Sequence, residues 1–438
     1  MDVTRRVVLQ SAVAAGAATK TFAANDKVQA GFIGCGARAH ELMAALGVQP
    51  GVAITKVCDA YAGRRERAQE RLKGMGHMVS MTGDWQEVIG DKTLDAVVIA
   101  SPDHWHKTHV VAALNAGKDV YCEKPLTYTV EDGLEILAAI KKTGKIVQVG
   151  SQGVSTETQQ KAREMIQAGR LGKVTMIRAA YNRNTASGAW IYPIPPDAGP
   201  KTVDWAAFEG PAKKKHPFSL ERFFRWRCYS EYSGGIATDL FVHLCTTIHF
   251  LMGAEAPRRV TAMGELYRWK ESRDVPDTLN AILEYPQGFT VNLSSTFNNQ
   301  SSSESNFVFL GTEGTLSLGW GEMTIAPERA TEDNAWIVAS WPSKLEAAYW
   351  ADPKVKASER PGLAKPALAK GTESYRSTGM DATWTHFAGW LESIRTRKPH
   401  WENGERGHRA AACAHMVNRS AREGRVVEWD AAGEKMKG

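Results

Sequence analysis

A strand that breaks at two glycines and runs straight into a helix constrains this chain more than any other stretch. Val28-Gln29-Ala30-Gly31-Phe32-Ile33 is small and apolar, Gly34-Cys35-Gly36 interrupts it, and Ala37-Arg38-Ala39 opens a helix-prone run to Leu46. In that setting a G-x-G-x-x-A pattern has a mechanical meaning. Gly34 permits a tight turn, Gly36 lets the main chain approach a pyrophosphate, and Ala39 is small enough for close helix–strand packing. The helix start offers unpaired N–H groups and the positive end of its dipole to phosphate. Cys35 and Arg38, in the turn and the first helical turn, fall in the same candidate site. Glycine turns also occur where nothing binds. What separates this one is the next strand, Ala53 to Cys58, which ends in Asp59. A carboxylate at that strand end suits the ribose hydroxyls of a nicotinamide dinucleotide, NAD before NADP. Arg64 and Arg65 on the following helix leave a 2′-phosphate open.

At 438 residues the chain is long enough for two domains with sizeable cores. The net charge of +6 is small and dispersed, and it gives no footprint for nucleic acid. No apolar run reaches membrane-spanning length. The N-terminus reads as a twin-arginine export signal. Thr4-Arg5-Arg6-Val7-Val8-Leu9 precedes an alanine-rich run to Ala18 and a small-residue cleavage site near Thr21-Phe22-Ala23. A plain amphipathic helix start is the alternative. Residues 1–24 are therefore expected to be a signal segment and the protein periplasmic or otherwise exported. The six cysteines (35, 58, 122, 228, 245 and 413) form no C-x-x-C pair and no metal spacing. They read as free core thiols, with a disulfide between two of them as the alternative.

Beyond Asp59, apolar runs at Leu94–Ala100, Asp119–Cys122 and Ile146–Val149 alternate with helical patterns. Such alternation gives a doubly wound parallel sheet over residues 27–150. Thr129 is placed to cap a helix that turns Val130, Leu134, Leu137 and Ile140 to one face. After Gly150 the rhythm changes. A helix over Glu157–Ala168 and a strand over Lys173–Tyr181 are followed by a long loop (185–220), a helix over Glu231–Met252, and then long alternating strands from Arg259 to Leu318. Residues 151–438 thus read as a second α/β domain built on a large, mostly antiparallel open sheet. Residues 340–375 read as loop, and two helices, Trp384–Arg395 and Gly407–Ala421, end the chain.

In an open parallel sheet, ligands lie beyond the carboxyl ends of the strands. Ser101-Pro102-Asp103-His104-Trp105-His106 and Glu123-Lys124-Pro125 both sit at such ends. Ser101, Pro102, His106, Glu123 and Lys124 are candidates for the nucleotide pocket. Lys124, at a buried strand tip and fixed by Pro125, can polarise a substrate oxygen or share its proton. The plainer alternative is a surface lysine paired with Glu123. Asp239 and His243 stand four apart after Gly234-Gly235 among apolar neighbours, so a helix places both on one face. His243 is the candidate acid/base and Asp239 its helper, against a purely structural Asp–His pair. Arg227 and Tyr229, in the run Phe223 to Tyr229, are candidates for a sugar-binding wall or for core packing. His104, His106 and His109 lack the carboxylate or thiol that would complete a metal site, and no metal is expected.

Taken together, the glycine turn, the Pro102–His106 element, Glu123-Lys124-Pro125 and the Asp239–His243 pair resemble the glucose–fructose oxidoreductase, inositol dehydrogenase and MocA family, over nearly the whole chain after the signal. The resemblance implies a Rossmann domain holding NAD or NADP, and a C-terminal open sheet that mediates homo-oligomers. It also implies a catalytic role for Lys124 and His243, assisted by Asp239, on a sugar or polyol. Twin-arginine signals with a Pro-Asp-His-Trp-His element mark a bacterial branch of that family. Three functions compete: net hydride transfer to or from a secondary alcohol, a redox-neutral glycosidase or epimerase with trapped cofactor, and a non-catalytic sugar- or nucleotide-binding protein. Glycosidase-type relatives generally lack the Glu-Lys-Pro element that this chain keeps.

Overall fold

A computed structural model describes residues 27–300, 306–328, 334–358 and 371–437. The twin-arginine segment lies outside these residues. The first sheet is wholly parallel. Its strands are β1 (Val28–Ile33), β2 (Val52–Cys58), β3 (Ser80–Thr82), β4 (Ala96–Ile99), β5 (Asp119–Glu123) and β6 (Val147–Gly150). Their spatial order is β3-β2-β1-β4-β5-β6. This is the Rossmann order, and it reverses between β1 and β4. Strands β4, β5 and β6 are buried at every position, as strands covered on both faces must be. Helices α1 (Ala37–Gly47), α2 (Ala62–Gly74), α3 (Trp85–Gly90), α4 (His106–Asn115) and α5 (Val130–Thr143) make the crossovers.

Helix α5 starts on a capping box. Thr129 accepts from the Asp132 N–H, and the Asp132 side chain accepts from the Thr129 N–H. Its buried face is Val130, Gly133, Ile136 and Ala139. Leu134, expected inside, is 39% exposed. The face turned because the C-terminal helix packs so closely on Gly133 that a Cβ there would sit 1.9 Å from His408 Nδ1.

The second sheet has ten strands in the order β14-β13-β12-β11-β7-β10-β9-β8-β15-β16. They are β7 (Val174–Ala180), β8 (Arg259–Glu265), β9 (Thr278–Tyr285), β10 (Phe289–Thr296), β11 (Phe307–Gly311), β12 (Gly314–Leu318), β13 (Glu322–Pro327), β14 (Glu373–Arg376), β15 (Val427–Asp430) and β16 (Lys435–Met436). Only β7 and β10 pair in parallel. Strands β8 to β10 alternate buried and exposed residues, so one face carries the core and the other is open. Met263 and Ile282 stand on the open face, 80% and 51% exposed.

Three sequence expectations shift. The helix read over Glu231–Met252 is shorter. Gly235, at φ +62°, breaks it, and a π-turn over Ala237–Phe241 leads into the helix Val242–Met252. The stretch read as loop over 340–375 holds helices Ser343–Ala351 and Pro353–Ser358 and strand β14. The helix Ser343–Ala351 has no buried residue, so no apolar stripe announces it. Finally, the chain after 150 builds its own large core, from Val154 to Trp429, but one of its helices leaves it. The helix Ala382–Thr396 returns to the first domain, where Phe387, Trp390, Leu391 and Ile394 pack with Phe32, Leu42 and Tyr121. All six cysteines are buried and free.

Candidate active site

One cavity of about 980 Å³ opens above the carboxyl ends of the parallel strands and runs on to the second sheet. At its nucleotide end, Gly34 takes φ +91°, and a Cβ there would lie 2.5 Å from the Ala100 carbonyl oxygen. Only glycine fits that crossing of β1 and β4. Gly36 is different. A Cβ there would meet nothing of the protein nearer than Arg64 Cζ at 3.9 Å. The protein leaves that space free, and Gly36 caps α1 without a side-chain hydrogen bond, so the first N–H groups of the helix await an acceptor. The cradle fits a pyrophosphate.

Asp59 lines the cavity and is held by two main-chain donors. Cys35 N–H gives to Oδ2 at 2.7 Å and Tyr61 N–H to Oδ1 at 2.9 Å. Cys35 itself faces inward, its thiol pushed far up by burial, so only its backbone serves the site. Arg64 lies over the rings of Phe223 and Phe224, and Arg65 donates to the Asp59 carbonyl at 2.5 Å. Arg65 is thereby engaged, whereas Arg64 lines the cavity beside Asp59.

Arg38, in the first turn of α1, reaches across to Glu123 Oε1 at 3.2 Å, and Gln152 Nε2 donates to the same oxygen at 3.0 Å. Glu123 is therefore committed to Arg38, not to its neighbour Lys124. Ser101 and Pro102 line the cavity beside Gly34. His106 does not. Its Nδ1 meets the Pro125 carbonyl at 2.6 Å and its Nε2 the Ser101 carbonyl at 2.9 Å. It is 1% exposed. The ring ties the two strand-end loops together beneath the pocket, which corrects the expectation that it would line it. His104 meets Phe208 O through Nε2 and His109, which does line the cavity, meets Ser101 Oγ through Nδ1; the other nitrogen of each ring is buried without a hydrogen bond among the described residues.

The chemistry gathers where the two halves meet. Lys124 Nζ donates to Asp239 Oδ1 at 2.8 Å and to the Asp239 carbonyl at 2.9 Å. Arg227 Nε donates to the same Oδ1 at 3.0 Å. Burial alone would raise the Asp239 carboxyl, but the Lys124 and Arg227 cations override it and hold the group ionised. Asp239 sits in the π-turn, a form common at functional positions. One residue into the next helix, His243 lines the same cavity. Burial and the Lys124 charge push its imidazole down to about 3, so the ring is neutral at physiological pH. A neutral imidazole, an ammonium and a free volume between them can take a proton from one oxygen and stabilise its charge.

The wall opposite is aromatic. Phe223, Phe224 and Trp226 face the cavity with Arg227, whose guanidinium stacks on Trp226 at 4.2 Å. Tyr229 does not line it. Its ring lies 4.2 Å from Arg222 and is 7% exposed, so the proposed substrate contact is a core residue. Arg183, Tyr192, Trp320 and Gln152 line the cavity or support it and carried no signal in the sequence. They come from loops and, for Gln152, a single 3-10 turn, where spacing has no periodic meaning.

The family models match in both halves. Residues 28–151 match the "oxidoreductase family, NAD-binding Rossmann fold" and residues 205–317 the "GFO/IDH/MocA C-terminal domain". The chain belongs to the Gfo/Idh/MocA family of NAD-binding oxidoreductases. Among curated relatives, inositol 2-dehydrogenase 1 of Saccharopolyspora erythraea is 27% identical over 324 residues, 74% of this chain and 82% of that protein. A 1,5-anhydro-D-fructose reductase of Ensifer adhaerens is 26% identical over 263 residues, 60% of this chain and 67% of that protein. The chain spans about half the length of other matched relatives, such as the inositol 2-dehydrogenase of Salmonella typhimurium (32% identity, 36% of this chain and 47% of that protein). A solved levoglucosan dehydrogenase, in complex with NADH and levoglucosan, shares the fold with a TM-score of 0.65 and 20% identity, covering 92% of this chain and 99% of that one.

Proposed function

We propose that the protein transfers a hydride between NAD and a secondary alcohol of a sugar or polyol. The observation that carries this reading is the convergence of Lys124, from the first domain, with Asp239 and His243, from the second, in the cavity that also holds Gly36 and Asp59. Relatives named for inositol, anhydrofructose and levoglucosan support the substrate class. So do the aromatic faces of Trp226, Tyr192 and Trp320, which suit the C–H faces of a sugar ring.

Gly34 to Ala39 and Asp59 hold the dinucleotide, whose nicotinamide, when bound, accepts or supplies the hydride. Lys124 donates a hydrogen bond to the substrate oxygen and stabilises the negative charge that develops there. His243, neutral in the free protein, takes the hydroxyl proton on oxidation and returns it on reduction. Asp239 keeps Lys124 aimed. Absorbance of the purified protein for retained nicotinamide, followed by a panel of sugars and polyols with and without added NAD, tests this. Net NADH formation supports it. Sugar conversion without net reduction, or ligand binding without turnover, sinks it.

The chain is exported by the twin-arginine route, supported by Arg5-Arg6 ahead of the alanine-rich run. Replacing both arginines with lysine in a reporter fusion should trap the reporter in the cytoplasm. A homo-oligomer forms through the open face of the second sheet, supported by exposed Met263 and Ile282. Light scattering of the purified protein tests it, and a monomer would end it.

A further inference from the structure

The substrate half of the cavity has more cations than acids. On the nucleotide side, Arg38 is matched by Glu123 at 3.2 Å and Arg64 approaches Asp59 at 3.9 Å. On the other side, Lys124, Arg183 and Arg227 meet two acids: the buried Asp103, whose carboxyl is pushed up by burial and makes no ion pair among the described residues, and Asp239. Asp239 spends one oxygen on both Lys124 and Arg227. Arg183 has no carboxylate partner among the described residues. It is held by donating to the Gly188 carbonyl at 3.1 Å and by lying over the Tyr181 ring at 5.2 Å. Even so, it is near enough for its charge to act on both Asp239 and His243. Arg227 uses only its Nε on Asp239, and no described residue takes its terminal nitrogens while Trp226 braces its plane.

Clustered cations in a partly desolvated pocket are costly unless an anion completes them. A planar guanidinium with free terminal donors matches a carboxylate or phosphate in particular. The pyrophosphate has its own cradle at the helix start by Gly36. An oxidised nicotinamide is itself a cation and would deepen the excess.

From this we propose that the substrate is an anionic sugar, carrying a carboxylate or phosphate that Arg183 and the outer face of Arg227 bind while Lys124 and His243 work on its hydroxyl. The proposal rests on the sugar-oxidoreductase reading and narrows it. Its test uses the full protein loaded with NADH and matched probes: glucose, glucuronate and glucose 6-phosphate, with galactose and galacturonate as a second set. Binding is read by tryptophan fluorescence and by calorimetry, so that it does not depend on turnover. One anionic member of a set should bind about 10- to 100-fold tighter than its neutral parent. The uronate and phosphate arms show which anion fits.

In Arg183→Gln that ratio should collapse, and Arg183→Lys should restore part of it; an NADH titration of each variant shows that it is folded. Equal binding of neutral and anionic members, no binding by any acid or phosphate of the panel, or a ratio untouched by Arg183→Gln would overturn the inference. Neutral sugars turned over with NAD alongside equal binding would leave the oxidoreductase reading standing, whereas tight binding of an acid with no hydride transfer would remove that reading and keep this one.

Discussion

At the scale of single residues, the site works by sharing one carboxylate between two cations. Asp239 orients Lys124, whose amine already donates to it before any substrate arrives. Lys124→Ala should therefore lower kcat/KM by about 10²- to 10⁴-fold with NADH affinity retained, measured by steady-state kinetics beside a fluorescence titration. Lys124→Arg should not restore it, because a planar fork cannot take the place of a compact ammonium between Asp239 Oδ1 and the substrate. His243 sets the pH response. Its imidazole lies far below the ordinary value, at about 3, so it stays neutral as pH falls from 7 to 5. The expected kcat/KM profile of the free enzyme has no acid limb near 6.5. A limb there that vanishes in His243→Gln would contradict the assignment.

At the scale of elements, local signals place helices well and faces less well. The α5 capping box could be read from Thr129 and Asp132, yet the buried stripe lay one residue away from the one that apolar spacing suggested. The cause is Gly133, which lets the helix Gly404–Glu423 approach to contact. Gly133→Ala should destabilise the protein despite the better helix propensity of alanine. A Cβ 1.9 Å from the buried His408 ring forces two helices apart, and a loss of about 1–3 kcal/mol in denaturant unfolding is expected. The π-turn before His243 is also an element-scale outcome. Gly235 ends the preceding coil in a left-handed conformation, and the wider turn follows with Asp239 in it.

At the scale of the whole molecule, the two domains are stitched together by the chain's return. Trp390, fully buried, donates its indole N–H to the Val120 carbonyl of β5 at 3.2 Å and packs on Tyr121, two residues before Glu123. Trp390→Ala should cost about 3–5 kcal/mol and weaken NAD binding too, since β5 positions the Glu123–Arg38 pair. Thermal unfolding with and without NADH measures both effects. A second molecule-wide response comes from Glu402, fully buried between the last two helices and β6, whose carboxyl burial pushes up from 4.5 to about 8. The folded protein then keeps a proton that the unfolded chain gives up. The stability that neutral Glu402 contributes is complete below about pH 4.5 and is lost as pH rises from there through 8. Glu402→Gln should raise the Tm at pH 8.5 and leave it little changed at pH 5. A wild-type Tm that rises over that range would refute the assignment.

The sequence by itself determined the parallel strand–helix alternation, the glycine turn, Asp59, and the strand-end and helical positions of Lys124, Asp239 and His243. These follow from alternating apolar runs and turn chemistry, which act over a few residues and leave a mark in spacing. Tertiary structure alone decided that Lys124 meets Asp239 across 115 positions, that Arg183 enters the same cavity, that Tyr229 turns into the core and His106 beneath the pocket, and that the helix Ala382–Thr396 closes the first domain. Those outcomes depend on how loops and helices distant in sequence share one volume. Close packing and charge pairing settle that, and neither has a period along the chain.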